Sequence, residues 1–153
     1  MNNSISIEKY LQETKIPIRL SCLMESGWPT VLSLWYLLEK GSLYCATPES
    51  AKVVSYLRAE PRCSFEVASD QPPYCGVRGR AVATIDPDRG VEILERLLFR
   101  YLGGINDPLA KNLLGRPGPE VAIRLDPKNF YTWNFTDRMA DSLAYQEAKI
   151  CPD

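Results

Sequence analysis

The sequence predicts a mainly β domain with flanking helices, of the α+β class, whose antiparallel sheet closes into a barrel. Three observations predict this class. Seven short apolar segments have the patterning of buried or half-buried strands. Turn-forming residues separate several of these segments at hairpin spacing. Closing the sheet removes the exposed edges that so many short strands would otherwise leave.

The predicted order of elements is helix, three strands, helix, two strands, two helices and two strands. Ser6 can cap the first helix, and the turn Glu39 to Gly41 joins the second and third strands. The strands are expected at residues 18–25, 30–38, 42–46, 62–68, 74–86, 120–125 and 130–135, and the helices at 7–13, from Thr47, at 88–102 and at 108–114. We expect one domain over 1–153, with a core of about 5–139 and a tail, 140–153, that is a short helix or disordered.

The composition excludes several kinds of chemistry. The chain has no histidine, which removes histidine-based triads and histidine metal sites, and no other metal site is predicted. The net charge of −1 gives no case for nucleic acid or an anionic membrane. No signal peptide or membrane span is visible, so a cytoplasmic location is expected. Five cysteines without Cys-x-x-Cys spacing indicate no disulfide framework, and three are expected to be buried thiols, namely Cys22, Cys45 and Cys63.

The junction after the third strand has features of an anion site. Thr47 can cap a helix in which Pro48 is the first residue, and the helix N-terminus offers unpaired N–H groups. Lys52 would lie one turn into that helix, and its side chain would tilt back toward the N-terminus. The alternative is a plain cap followed by a solvated lysine, and the spacing does not decide between the two.

A set of segments, taken in order, resembles one protein family. The segments are residues 29–36, 41–47, 50–52, 57–58, 61–62, 76–79, 92–104, 121–124 and 133–138. Over roughly residues 5–139 they resemble the FMN-binding split-barrel proteins related to pyridoxamine 5′-phosphate oxidase. The resemblance implies an antiparallel split β-barrel, and a homodimer that holds one FMN in each interface groove.

The resemblance also implies which residues bind the cofactor. It puts Thr47, Ser50 and Lys52 at the phosphate, and Leu34, Trp35 and Tyr36 beside the isoalloxazine. Tyr74 and Gly76 fall where the next strand passes the flavin, and Trp133 and Arg138 fall near positions that reach it from the second subunit. Structural alternatives remain for some of these residues: Trp35 or Tyr36 would be a core residue, and Trp133 would pack in the interface. Arg78 and Arg80 would either be solvated or hold a ligand.

The resemblance leaves the activity open. Ala51–Lys52 replaces a double-basic pair and histidine is missing, which argues against oxidation of vitamin B6 and against haem degradation. An FMN-dependent oxidoreductase acting on an unidentified small molecule is the first expectation. A deazaflavin-dependent reductase, a non-catalytic flavin-binding module and a barrel that only dimerises are the alternatives. No catalytic acid or base is identified.

Overall fold

The computed structural model describes residues 3–139, with side chains from residue 7 onward. The predicted tail, 140–153, lies outside the described residues. The helices are α1 (Asn3–Glu13), α2 (Lys52–Ala59), α3 (Gly90–Leu102) and α4 (Pro108–Leu114), with a 3-10 turn at Asp137–Met139. The strands are β1 (Ile18–Leu23), β2 (Pro29–Leu34), β3 (Leu37–Glu39), β4 (Ser42–Pro48), β5 (Arg62–Ala68), β6 (Cys75–Asp86) and β7 (Glu120–Asn134). None of the described helices is long and apolar enough to cross a membrane.

The seven strands form one antiparallel sheet in the order β2-β1-β5-β6-β7-β4-β3. In a flat sheet the two outer strands would lie roughly 29 Å apart, six spacings of about 4.8 Å. Those outer strands, β2 and β3, are joined by only two residues, Trp35 and Tyr36. Three Cα–Cα steps span at most roughly 11 Å, so the sheet must curl until its two edges nearly meet. The expected barrel follows from this linkage.

The main hydrophobic core fills the inside of the curled sheet. It includes residues from both halves of the sheet, such as Leu20 on β1 and Leu43 on β4, and apolar residues of α1 and α2. Helix α3 packs on the other face of β4 and β7, against Tyr44 and Ala122. The free thiols of Cys22, Cys45 and Cys63 are buried, as the sequence indicated.

Cys75 departs from the expectation that the cysteines form no disulfide framework. Cys75, at the start of β6, takes part in a disulfide. It therefore differs from the three core cysteines, which are free thiols.

Two predictions about how the chain divides into strands are wrong. The expected strand 30–38 is two strands, because the chain crosses from one sheet edge to the other at Trp35 and Tyr36. The expected strands 120–125 and 130–135 are one strand, β7, which continues through Pro127 with a register shift opposite Arg80 and Ala81. The turn between β3 and β4 is as predicted, since Lys40 (φ 49°) and Gly41 (φ 81°) adopt the positive φ of a tight hairpin turn.

Candidate functional site

The junction between β4 and α2 differs from its prediction. Strand β4 runs through Pro48, with Thr47 paired to Val121 of β7, so the proposed Thr47 cap and Pro48 helix start are wrong. A turn follows, closed by the Ala51 N–H donating to the Pro48 carbonyl at 2.9 Å. Helix α2 begins at Lys52, whose side chain therefore belongs to the first helical residue and not to the second turn.

The junction nevertheless presents a set of unused donors. Ala51 is the N-cap residue and provides no side-chain cap, so the first turn of α2 keeps open N–H groups. The side chains of Thr47, Ser50 and Lys52 have no hydrogen-bond or ion-pair partner among the described residues. The neighbouring acid, Glu49, is held by Arg58 at 2.6 Å. One unpaired positive charge, two hydroxyls and a helix N-terminus therefore occur within six residues.

An apolar cavity of about 350 Å³ begins beside this junction. Leu34 and Trp35, two of the predicted cofactor residues, line it together with Ala46, the residue that precedes Thr47. Leucines of α3 and α4 form much of the remaining wall, and Arg116 provides a charged group. The size is at the low end of the range of small-molecule sites.

Trp35 is held by α3, and Tyr36 is a core residue. The Trp35 ring stacks on Tyr101 with centroids 4.9 Å apart and an interplanar angle of 6°. Tyr36 is fully buried, and its hydroxyl donates to the Leu11 carbonyl at 2.9 Å. Burial next to Tyr101 raises the pKa of Tyr36 well above its usual value, so it stays neutral. Of the two aromatic residues, Trp35 faces the cavity and the Tyr36 side chain does not.

The tyrosine hydroxyl of α3 also holds the crossing between β2 and β3. Tyr101 donates to the Tyr36 carbonyl and accepts from the Tyr36 N–H, each at 3.3 Å. Arg100 packs over the Tyr36 ring, with its Cζ 5.4 Å from the ring centroid. The same guanidinium donates to the Leu11, Gln12 and Thr14 carbonyls at the end of α1, where cations are favourable. Helix α3 thus fixes the wall that contains Trp35.

The remaining predicted residues form a second group at the far ends of β6 and β7. Gly76 is paired with Trp133, and a Cβ at Gly76 would lie 2.7 Å from the Trp133 ring, so only glycine fits under the indole. The Arg78 guanidinium lies over the Trp133 ring, with its Cζ 5.4 Å from the ring centroid. We call these residues the Trp133 cluster. Tyr74 is 41% exposed, and Arg138 lies over Phe135 at 5.2 Å.

The junction and the Trp133 cluster lie far apart along β7 within one chain. Val121, the partner of Thr47, and Trp133 are twelve residues apart on the same strand, which corresponds to about 40 Å along β7. One protomer therefore presents the Thr47 junction near one end of β7 and the Trp133 cluster near the other.

Arg116 and its partner Glu120 were not among the predicted site residues. Arg116 lines the apolar cavity and its Nη2 donates to Glu120 at 2.6 Å. Glu120 is opposite Pro48, so the pair lies beside the junction. The Nε of Arg116 and the Oε2 of Glu120 are buried without a partner among the described residues. In the sequence, only the four-residue spacing of the two charged residues pointed to this pair, and that spacing is common on protein surfaces.

Comparison with known proteins identifies the fold. No protein-family model and no curated protein matches the sequence. Solved structures match with a split-barrel fold of the pyridoxamine 5′-phosphate oxidase-like type, and this chain has that fold, as the resemblance implied.

Three of these structures show the range of the match. A conserved hypothetical protein from Mycobacterium tuberculosis has a TM-score of 0.72 at 20% identity, over 88% of this chain and 86% of its own. An F420 reductase has a TM-score of 0.68 at 22% identity, over 81% and 94%. A putative pyridoxamine 5′-phosphate oxidase from Listeria innocua has a TM-score of 0.59 at 15% identity, over 84% and 92%. Solved structures of an FAD-binding protein from Mesorhizobium loti and of a haem storage protein from Vibrio cholerae also match.

Proposed function

We propose that this protein is an oxidoreductase that binds FMN and acts on a small molecule still to be identified. The observation that supports it is the donor set at the β4–α2 junction, where Thr47, Ser50 and Lys52 have no partner among the described residues and α2 has no side-chain cap. A phosphate fits such a set, because the helix dipole, the ammonium and the hydroxyls all favour an anion. In this proposal the three side chains hold the phosphate of the cofactor.

The cavity next to the junction would receive the ring system. Leu34 and Trp35 give it an apolar wall, and the stacking of Trp35 on Tyr101 keeps that wall rigid. A bound flavin would supply hydride transfer, which no side chain of this chain supplies. The chain's own part is to bind the phosphate, orient the ring and exclude water. The stacked pair of Trp35 and Tyr101 would orient the ring and exclude water.

The separation of the two groups along β7 supports a homodimer as part of the proposal. Trp133 lies about 40 Å along β7 from Val121, the partner of Thr47, so in this proposal Trp133, Tyr74 and Arg138 contact the cofactor from a second protomer. The exposed aromatic side chains near this end of β7 fit an interface, where aromatic residues are enriched; they include Tyr74, Tyr131 and Phe135. We also predict that the dimer is cytoplasmic.

Two alternatives have support of their own. The match to an F420 reductase favours a deazaflavin in the same position, and both cofactors carry a phosphate. A non-catalytic flavin-binding module is favoured by the lack of an identified acid or base, since the chain has no histidine. Binding and turnover measurements separate these alternatives.

The test is the binding of FMN and of a deazaflavin to the purified protein, with Lys52→Ala as the variant. A lysine about 4 Å from a unit charge contributes roughly 1 kcal/mol in water and roughly 4 kcal/mol near a protein surface. We therefore expect affinity to fall between about fivefold and a thousandfold. Lys111→Ala, which removes an exposed lysine from α4, is the matched control and should bind as the wild type does.

Absorbance and fluorescence quenching report both titrations. Failure of the wild type to bind either cofactor, or equal binding by wild type and Lys52→Ala, would contradict the proposal. Tight binding without turnover with any reductant would favour the non-catalytic module, and preference for the deazaflavin would favour the reductase.

A further inference from the structure

We propose that a second pocket, on the polar face of strands β1, β5 and β6, binds a small organic phosphate. This pocket has a volume of about 510 Å³ and is distinct from the cavity beside the junction. Glu60 and Arg62, at its edge, follow the C-terminal end of α2. Lys52 is at the N-terminal end of the same helix, which is about 12 Å long. The two anion sites would therefore lie at opposite ends of α2.

Two positive charges of the pocket form no ion pair with an acid among the described residues. Arg62 also lines it, but Glu60 binds Arg62 through both carboxylate oxygens, at 2.8 Å and 2.7 Å. This pairing lowers the pKa of Glu60 to about 2, so Glu60 is ionised at neutral pH and offsets the charge of Arg62. The side chains of Arg80 and Lys128 have no hydrogen-bond or ion-pair partner among the described residues. The net charge of the lining is therefore +2.

The neighbouring acids are already occupied. Glu66, on the same face of β5, pairs with Arg19 at 3.5 Å. Asp126 interacts electrostatically with Lys128, but its carboxylate already accepts hydrogen bonds from Arg124 at 2.8 Å and from Ser42 at 2.7 Å. The unpaired charges of the pocket are thus available to a ligand.

Two hydroxyls and one guanidinium stand in a row across three strands. Ser21 of β1 is opposite Ser64 of β5, and Ser64 is opposite Arg80 of β6. All three residues line the pocket, and neither serine side chain has a partner among the described residues. Hydroxyl groups and a guanidinium are the donors that phosphate oxygens accept from.

The second cation is brought to the pocket by an irregularity in β7. Arg80 pairs with Asn129 and Ala81 pairs with Pro127, so Lys128 is the extra residue of a bulge. Bulges often re-aim a side chain beside a functional site. Here the bulge adds an ammonium to the row of donors, which a regular β7 would not provide at that position.

The ligand class follows from charge and lining. A lining charge of +2 matches a phosphate monoester, which is close to a dianion at neutral pH. The volume exceeds what the phosphate alone needs, and Leu23 and Val82 supply apolar surface for an attached organic group. The geometry points to a phosphorylated small molecule whose phosphate contacts Arg80, Lys128 and the two serines.

The probe is inorganic phosphate, titrated by isothermal calorimetry into the full chain at constant ionic strength. We expect saturable binding that Arg80→Gln and Lys128→Gln each weaken about tenfold, the usual effect of removing a hydrogen bond to a charged group. Lys111→Gln makes the same change of charge on α4 and should bind as the wild type does. Circular dichroism checks that each variant is folded. If one of the two pocket variants does not fold, the other alone tests the proposal.

A Lys52→Gln arm separates this pocket from the proposed cofactor site. Phosphate binding that survives Lys52→Gln and weakens in the two pocket variants supports the inference, whether or not the protein binds a flavin. Binding lost only in Lys52→Gln, binding unchanged in both pocket variants, or no binding at all would overturn it.

Discussion

Replacing Tyr101 with phenylalanine tests what holds the crossing between β2 and β3. The substitution removes one hydroxyl and leaves the ring that stacks on Trp35. That hydroxyl serves both the N–H and the C=O of Tyr36, each at 3.3 Å. Tyr36 is fully buried, so water does not reach these two groups after the change.

The expected loss of stability follows from those two groups. A buried polar group left without a partner costs about 1–3 kcal/mol. Bonds of 3.3 Å are long, so each group belongs at the lower end, and the free energy of unfolding should fall by about 2 kcal/mol. Urea unfolding followed by circular dichroism measures this loss, and the slope of the transition should stay unchanged if only the native state is affected.

A control isolates burial as the cause. Tyr131 is 52% exposed, and its hydroxyl accepts from Asn129 at 3.0 Å. Tyr131→Phe should change the free energy of unfolding by less than about 0.5 kcal/mol. A Tyr101→Phe protein as stable as the Tyr131→Phe protein would show that the backbone at the crossing finds other partners, and the reasoning would be refuted.

Three further predictions follow from contacts of the same kind. Arg100→Gln should speed amide hydrogen exchange in α1, because three carbonyls at its C-terminus lose a charged donor; unchanged exchange in α1 would contradict this. Gly76→Ala should displace Trp133 and shift its fluorescence, since the new Cβ would lie 2.7 Å from the ring; an unchanged spectrum would mean that the strand yields instead. Glu39→Gln should lower stability at pH 7 by about 1 kcal/mol or less. Hydrogen bonding to Arg89 lowers the pKa of Glu39 below its usual 4.5, so the stabilisation is present above pH 4.5 and the difference from wild type should vanish as pH falls further; a difference that persists in acid would assign it to packing.

Much of the fold could be predicted because its signals are local. Helix α4 begins at Pro108 and ends at Leu114 as predicted, with Asp107 as its cap. The Lys40–Gly41 turn was readable for the same reason, since a hairpin turn is specified by the residues that form it. The fold class followed from strand number and spacing.

The failures have non-local causes. Thr47 and Pro48 have the local pattern of a helix start, yet they stay extended because β4 pairs there with Val121 and Glu120, more than seventy residues later. The break at residues 35 and 36 depends on Tyr101, which lies 65 residues from Tyr36. No window of sequence contains these partners.

The candidate site divides in the same way. The donors of the junction were found because they lie close together in the sequence. The resemblance already assigned Trp133 and Arg138 to the second subunit, but the grouping of Tyr74 and Gly76 with them was not predicted, since it depends on how far β7 pairs with β6 beyond its pairing with β4. Tyr36 was assigned to the cofactor together with Trp35, and only the packing of α1 and α3 shows that its side chain belongs to the core.

The position of β4 in the sheet has a consequence for synthesis on the ribosome. Its neighbours are β3, which comes just before it, and β7, the last strand of the sheet to be translated. Until β7 has been synthesised, the peptide groups along one edge of β4 therefore have no strand to pair with. A nascent chain stalled before Glu120 would expose that edge, and it is there that we expect a chaperone, or a second unfinished chain, to attach.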